Sequence, residues 1–309
     1  MTKVFIDGRA GTTGLQIQQR MDLRADISQI VLPEEQKKDP AARKEAINQA
    51  DFVFLCLPDQ AAKEAAAMVE NSHTRVIDAS TAHRTDPAWA YGFPELSQAH
   101  RDAVASAQFV ANPGCHATGF ISLVYPLVKL GLLPPDHPLT VHSLTGYTGG
   151  GKSMIAEYQD PDRAEEYDSP RHYGLNLSHK HIPEMMQVCG LSRKPIFCPI
   201  VCDFPQGMLV TVPLHLDLLP GGLTPELLRD AYADFYRGQK NIRVIPEIQT
   251  SGCMGSNNIV GSNTLEILVS GNASQVLLSS RFDNLGKGAS GAAVQNLNIM
   301  MGLDENFGL

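Results

Sequence analysis

Along the first third of the chain, apolar residues gather in short, nearly unbroken runs separated by helical spacings. "KVFID" (Lys3 to Asp7), "DFVFLCL" (Asp51 to Leu57), "TRVIDAS" (Thr74 to Ser80) and "QFVAN" (Gln108 to Asn112) predict strands buried on both faces, as parallel strands are. Between them, Thr12 to Met21 and Asp59 to Val69 predict helices. Such alternation implies an α/β unit with a doubly wound parallel sheet. From about Leu133 the period changes. In "GMLVTVPLHLDLL", Leu209, Thr211, Pro213 and His215 alternate with Val210, Val212, Leu214 and Leu216, the pattern of a half-buried antiparallel strand. "IFCPIVCDF", "TLEILVSG" and "QVLLSSRFD" read alike. Thr224, Pro225 and Glu226 supply a cap, a first-turn proline and an early acid for one helix among them. The second unit is therefore expected to be α+β with a mostly antiparallel sheet. "KGASGAAVQNLNIMMG" returns to a helical pattern.

Composition narrows the class of function. The 309 residues suffice for two domains, and 43% hydrophobic with 19% charged residues is the balance of a globular chain. No apolar run reaches the length of a membrane span and no signal pattern opens the chain, so the expected compartment is the cytosol. A net charge of −8 argues against nucleic acid as a partner, and an anionic substrate would have to be met by local cations. The six cysteines are scattered, which predicts free thiols and no disulfide framework. Cys198 and Cys202, four apart on one predicted strand, read as core packing.

Two segments carry chemistry on their own residues. "DGRAGTTG" follows the first strand and opens the first helix, with Gly8, Gly11 and Gly14 spaced three apart. Glycines there permit a tight turn and bring backbone N–H groups at a helix N-terminus close to a pyrophosphate. An ordinary glycine-rich turn is the competing reading. The ribose-binding acid expected some twenty residues on has only Glu34 and Glu35 as candidates, and Lys37 and Lys38 follow at once, so "PEEQKKD" reads more simply as a solvated turn. Arg9, inside the loop, is placed to meet a 2′-phosphate. The second segment is "ANPGCHATG". Cys115 follows a strand end and a Pro-Gly turn, and Phe120, Leu123, Val124, Leu127 and Val128 after it fall at helical spacing, with Pro126 as a kink. A thiol at a helix N-terminus has its ionised form favoured by the dipole and by free N–H groups. A buried capping cysteine is the alternative.

"NPGC" followed by "ATG" resembles the active-site segment of the N-acetyl-γ-glutamyl-phosphate reductase family of the arginine pathway. "DGRAGTTGLQI", "DASTAHRTDPAWAYGFPEL", "SLTGYTGGGKSMI", "LSHKHIPEM" and "DNLGKGASGAAVQNLN" resemble further segments of its short form, in order, from residue 6 to the C-terminus. The wider superfamily includes aspartate-semialdehyde dehydrogenase. The resemblance implies a Rossmann-like NADP-binding domain of residues 1–115 and 285–309, and a catalytic and oligomerisation domain of 116–284. It implies reduction of an acyl phosphate by NADPH through a cysteine thioester, with a small-molecule substrate and a homo-dimer or homo-tetramer. Cys115 matches the nucleophile. His179 and His181, two apart on a segment read as extended and so pointing the same way, supply the acid–base, with His181 favoured and Glu184 as an orienter or a mere first-turn acid. An H-x-H pair can also bind metal, but no third ligand is near in sequence and the reaction requires none, so no metal is expected.

The expected cofactor residues are Gly8, Arg9, Gly11, Thr12, Thr13, Gly14, Asn284, Lys287 and Gly288; the expected substrate residues are Ser80, His83, Arg84, Asn112, Gly149, Lys152 and Glu184. Arg84 is read as the anion holder, because a planar fork suits phosphate and carboxylate. Alternatives are a relative acting on aspartyl phosphate or a carrier-bound aminoadipyl phosphate, a Cys-His hydrolase, and a non-catalytic NADP-binding regulator. The glycine loop and "DNLGKGA" speak against a hydrolase, and Cys115 with two histidines against a regulator.

Overall fold

In the computed structural model, which describes residues 1–246 and 252–309, the early apolar runs become a parallel sheet. The first unit comprises Met1–Gly114 and Ala289–Leu309. Its elements are β1 (Thr2–Asp7), α1 (Thr12–Asp22), β2 (Ile27–Ile30), α2 (Pro40–Gln49), β3 (Phe52–Leu55), α3 (Asp59–Ala66), β4 (Arg75–Asp78), β5 (Ala90–Tyr91), α4 (Gln98–Ser106) and β6 (Phe109–Ala111). The strand order is β2-β1-β3-β4-β6-β5, and every pair is parallel. Period two explains the continuous apolar runs. Val4 and Ile6 point to one buried face with Ile17, Met21 and Phe54, while Phe5, between them, points to the other with Ile47, Val53 and Val76. The last helix of the chain, Gly291–Met300, covers the first of these faces with Val294 and Leu297. Ser290, just before it, donates to Gln16 of α1 at 2.8 Å. "PEEQKKD" is a short, mostly exposed turn in which Lys37 pairs with Glu34.

The second unit is Cys115–Gly288. It holds α5 (Cys115–Lys129), β7 (Thr140–Gly146), α6 (Gly151–Gln159), β8 (Arg171–His172), α7 (Ile182–Cys189), β9 (Ile196–Cys202), β10 (Met208–His215), α8 (Pro225–Phe235), β11 (Ile242–Ile245), β12 (Leu265–Gly271) and β13 (Gln275–Phe282). Its sheet runs β11-β12-β13-β10-β7-β9-β8. Four pairs are antiparallel, while β11–β12 and β7–β9 are parallel, so the sheet is mixed. In β10, Met208, Val210, Val212 and Leu214 are buried and their neighbours are not, which is the alternation read from sequence. Thr224 caps α8 by accepting from Leu227 N at 3.2 Å. Nearly all of α5 is buried, and it continues through Pro126. Proline has no N–H for the carbonyl four residues back. That carbonyl, Ser122 O, instead accepts from Tyr236 Oη at 2.9 Å. Among the described residues no helix is long and apolar enough to cross a membrane.

Candidate active site

Cys115 is the first residue of α5, four positions after β6 ends at Ala111. Its turn carries no acid, so the helix N-terminus favours negative charge at the sulfur. Gly288 packs directly on it: a Cβ there would lie 3.0 Å from Cys115 Cβ, so only glycine fits without displacement. The contrast with the other thiols is chemical. Burial, then the charges of Asp78 and Asp7, push the Cys56 thiol up to about 12, and burial pushes Cys189 well up. Neither is a thiolate at neutral pH.

The histidines converge on a residue that the sequence reading passed over. His116, next to Cys115, is buried, and its ring centroid lies 5.4 Å from that of His179 and 5.6 Å from that of His181. His116 Nδ1 is 2.7 Å from Ser143 Oγ, and Nε2 is 2.6 Å from Tyr173 Oη. Phe197 closes the cluster against His116 and His179. The segment holding His179 and His181 is not extended, as expected, but a turn leading into α7. His181 N donates to His179 Nδ1 at 3.2 Å and Ile182 N to His179 O at 3.0 Å, which sets the two rings nearly perpendicular, 4.8 Å apart. Glu184 stands in the first turn of α7 and is buried. Among the described residues no group of three His, Cys, Asp or Glu has metal-holding geometry.

Burial sets the charge of this cluster. It lowers His116 to about 3, and it lowers His179 to about 4 with a smaller contribution from Lys180. Burial, then the charge of an ionised Cys115, raises the Tyr173 phenol. Below pH 6.5 the unfolded chain takes up protons at His116 and His179 that the folded chain refuses until about 3 and about 4. Stability is therefore whole above pH 6.5 and declines as the pH falls through that window. We expect His116 alone to cost on the order of 3 kcal/mol by pH 4. Urea unfolding at pH 7 and pH 4 measures this; a His116→Phe variant with the same loss would refute the assignment.

Other expected residues of this unit are engaged in holding loops. Asn284 accepts from Gly207 N at 2.8 Å and donates to Thr148 Oγ1 at 3.3 Å, tying the "GYTGGG" turn to the start of β10. Gly149 is exposed beside it and Lys152 is exposed in the first turn of α6. Lys287 is buried.

In the first unit, the glycine loop takes the shape its spacing suggests. Gly8 has φ of +84°, and Gly11 N donates to Gly8 O at 3.0 Å. A Cβ at Gly14 would lie 2.6 Å from Gly8 O, so the helix starts hard against the loop. No acid stands in the first turn of α1, and the Thr12 hydroxyl is buried with no hydrogen-bond partner among the described residues. An open helix N-terminus and an unused hydroxyl fit the phosphates of a dinucleotide. Arg9 is half-buried in the same loop and acts electrostatically on Glu34.

The loop after β4 is organised by Asp78, which the sequence reading did not single out. Its carboxylate, wholly buried, accepts from Ser80 N at 2.9 Å, from Ser80 Oγ at 2.7 Å, and pairs with His83 Nδ1 at 2.7 Å. The His83 ring stacks on Trp89 at 4.0 Å. Arg84 meets the expectation of an anion holder with a guanidinium already committed: Nε donates to Asn112 O and Nη2 to Ala79 O, each at 2.9 Å. Asn112 is itself pinned, donating to Ala289 O at 3.0 Å and accepting from Asn296 Nδ2 at 3.1 Å. Arg84→Leu is therefore expected to lower unfolding stability by about 2–3 kcal/mol. An unchanged unfolding midpoint with a raised KM for the acyl substrate would restore the anion-holding role.

Comparison with known proteins places this geometry. Residues 115–284 match the family described as semialdehyde dehydrogenase, dimerisation domain, and residues 13–104 match semialdehyde dehydrogenase, NAD binding domain. The chain belongs to the semialdehyde dehydrogenase family. It is thus an oxidoreductase whose first unit takes a nicotinamide cofactor. It is 48% identical to N-acetyl-gamma-glutamyl-phosphate reductase 2 of Pseudomonas putida, over 97% of this chain and 96% of that one. It is 49% identical to N-acetyl-gamma-glutamyl-phosphate reductase of Rhizobium johnstonii, over 97% and 98%. A solved structure of aspartate semialdehyde dehydrogenase II from Vibrio cholerae, complexed with ASA, shares the fold. Its TM-score is 0.73 at 14% identity, covering 97% of this chain and 98% of that one.

Proposed function

We propose that the chain reduces N-acetyl-γ-glutamyl phosphate to N-acetylglutamate semialdehyde and phosphate with NADPH, as a step of the arginine pathway; its relatives carry the name N-acetyl-gamma-glutamyl-phosphate reductase. The observation that carries this reading is a thiol at the first position of α5, beside a cluster of three histidines. Cys115 attacks the acyl carbon, phosphate leaves with the electron pair of the C–O bond, and a thioester forms. A nicotinamide held at the glycine loop would supply the hydride that the thioester needs to become a thiohemiacetal on Cys115. His181 gives a proton to the resulting oxyanion and takes it back as the C–S bond breaks. Gly8, Arg9, Gly11, Thr12, Thr13 and Gly14 would hold the cofactor. NADP suits this site better than NAD. Arg9 in the glycine loop supplies a cation for a 2′-phosphate, and in the turn after β2 the acid Glu34 is already paired with Lys37, with Lys38 beside it.

Within the substrate's own site, we assign Glu184 to orient the histidines and Gly149 and Lys152 to the acyl-phosphate side, with Asn284, Lys287 and Gly288 shaping the wall at Cys115. Ser80, His83, Arg84 and Asn112 are assigned to holding the loop after β4. The chain acts in the cytosol as a homo-oligomer formed through the second unit, where Ile196, Leu218 and Leu277 stand exposed. Sedimentation as a 33.5 kDa monomer would overturn the assembly.

The function is tested in reverse. N-acetylglutamate semialdehyde, NADP and phosphate are expected to yield NADPH, with NAD and aspartate semialdehyde as poor replacements. No phosphate-dependent NADPH, or a preference for aspartate semialdehyde, sinks the reading.

A further inference from the structure

Ser143, His116 and Tyr173 form a hydrogen-bonded chain that the steps above leave without a task. The imidazole is neutral, so it carries one N–H. Suppose Nδ1 carries it. Nδ1 then donates to Ser143 Oγ, and Tyr173 donates to Nε2. The Ser143 side chain is wholly buried and, among the described residues, bonded to His116 alone, so its own hydroxyl hydrogen is left without an acceptor. Suppose instead that Nε2 carries the hydrogen. Ser143 then donates to Nδ1, Nε2 donates to Tyr173 Oη, and the single hydrogen left over is the phenol's. Tyr173 is only half-buried. The second arrangement leaves no buried donor unmade, which decides between them.

We propose that Tyr173 donates this spare hydrogen to the Cys115 sulfur, and that His116 is the positioning residue that keeps it spare. His116 adjoins Cys115 in the first turn of α5 and holds Tyr173 Oη at 2.6 Å, so the phenol is tethered to the residue next to the thiol. An ionised Cys115 also acts on the phenol electrostatically, and the phenol stays protonated, as a donor must. An O–H bond to a thiolate favours the ionised form and lowers the pH at which the nucleophile is ready. The inference rests on Cys115 as the nucleophile of the proposed reaction. The other titratable groups on the elements around it include His116 on α5, Arg171 and His172 on β8, His179, Lys180 and His181 before α7, Glu184 in its first turn, and Asp283 and Lys287 in the segment that seats Gly288.

Alkylation of the full-length protein by iodoacetamide across pH, read at the Cys115 peptide by mass spectrometry, tests it. Tyr173→Phe is expected to move the midpoint up by about one pH unit and to slow labelling at pH 7 about tenfold. His116→Gln is expected to move it in the same direction, and the double variant no further than Tyr173→Phe alone. A Tyr173→Phe profile that superposes on wild type, with circular dichroism unchanged, overturns the proposal; so does a double variant whose shifts add. If Tyr173→Phe does not fold, His116→Gln carries the same reading. The two inferences separate cleanly. A protein inactive on the semialdehyde whose Cys115 profile still shifts upholds the phenol and sinks the function. An active one with an unmoved profile does the reverse.

Discussion

Cys115→Ser is expected to lower phosphate-dependent NADPH formation by at least about a thousandfold, with its unfolding midpoint unchanged. A serine hydroxyl is isosteric but far from ionised at neutral pH, and a helix N-terminus cannot make it an alkoxide. Cys115 is half-buried with a turn free of acid around it, so the substitution leaves packing intact and removes only the nucleophile. Cys56→Ser is the control. The Cys56 thiol is pushed up to about 12, so it is protonated at working pH and its loss should leave the rate within about twofold. Full activity in Cys115→Ser, or a comparable loss in Cys56→Ser, would dissolve the thioester route.

The proposed nucleophile was legible because its signal is local. Asn112, Pro113 and Gly114 end a strand and turn the chain, and an apolar helical period begins at once, so Cys115 had to stand at a helix start. The glycine loop was legible for the same reason. His116, Ser143 and Tyr173 were not, because what joins them is tertiary: 27 and 57 residues separate the partners. One cue existed, a histidine inside an otherwise apolar helix, which burial makes a candidate for a fixed hydrogen-bond role. β2 escaped because only Ile27 of its four residues is buried, too little for a period. α6 escaped because its first turn follows three glycines, a composition that reads as loop. The histidine pair was read as extended because two-residue spacing suits a strand, yet a turn held by His179 Nδ1 brings the rings together instead.

The second large effect concerns the histidine proposed to move protons. Of the three imidazoles, His116 is lowered to about 3 and His179 to about 4. At pH 7 His179 is protonated in about one molecule in a thousand, so it is a poor acid for a developing oxyanion. His116 is bonded through both nitrogens. His181 is the imidazole we propose as the proton carrier. His181→Asn is therefore expected to lower kcat by about 10²–10⁴-fold with little change in KM, because a proton transferred in the transition state is lost while binding is kept. His179→Asn is expected to lose less, about tenfold or under, and mainly by loosening the turn that its Nδ1 holds for His181 N. Asparagine keeps a polar group of similar reach, so neither variant leaves a bare cavity. Steady-state rates of both variants with the semialdehyde, NADP and phosphate, beside their unfolding midpoints, make the comparison. A His181→Asn enzyme that keeps its rate while His179→Asn loses it would move the acid–base to His179 and show that substrate binding changes the burial that now holds that ring neutral.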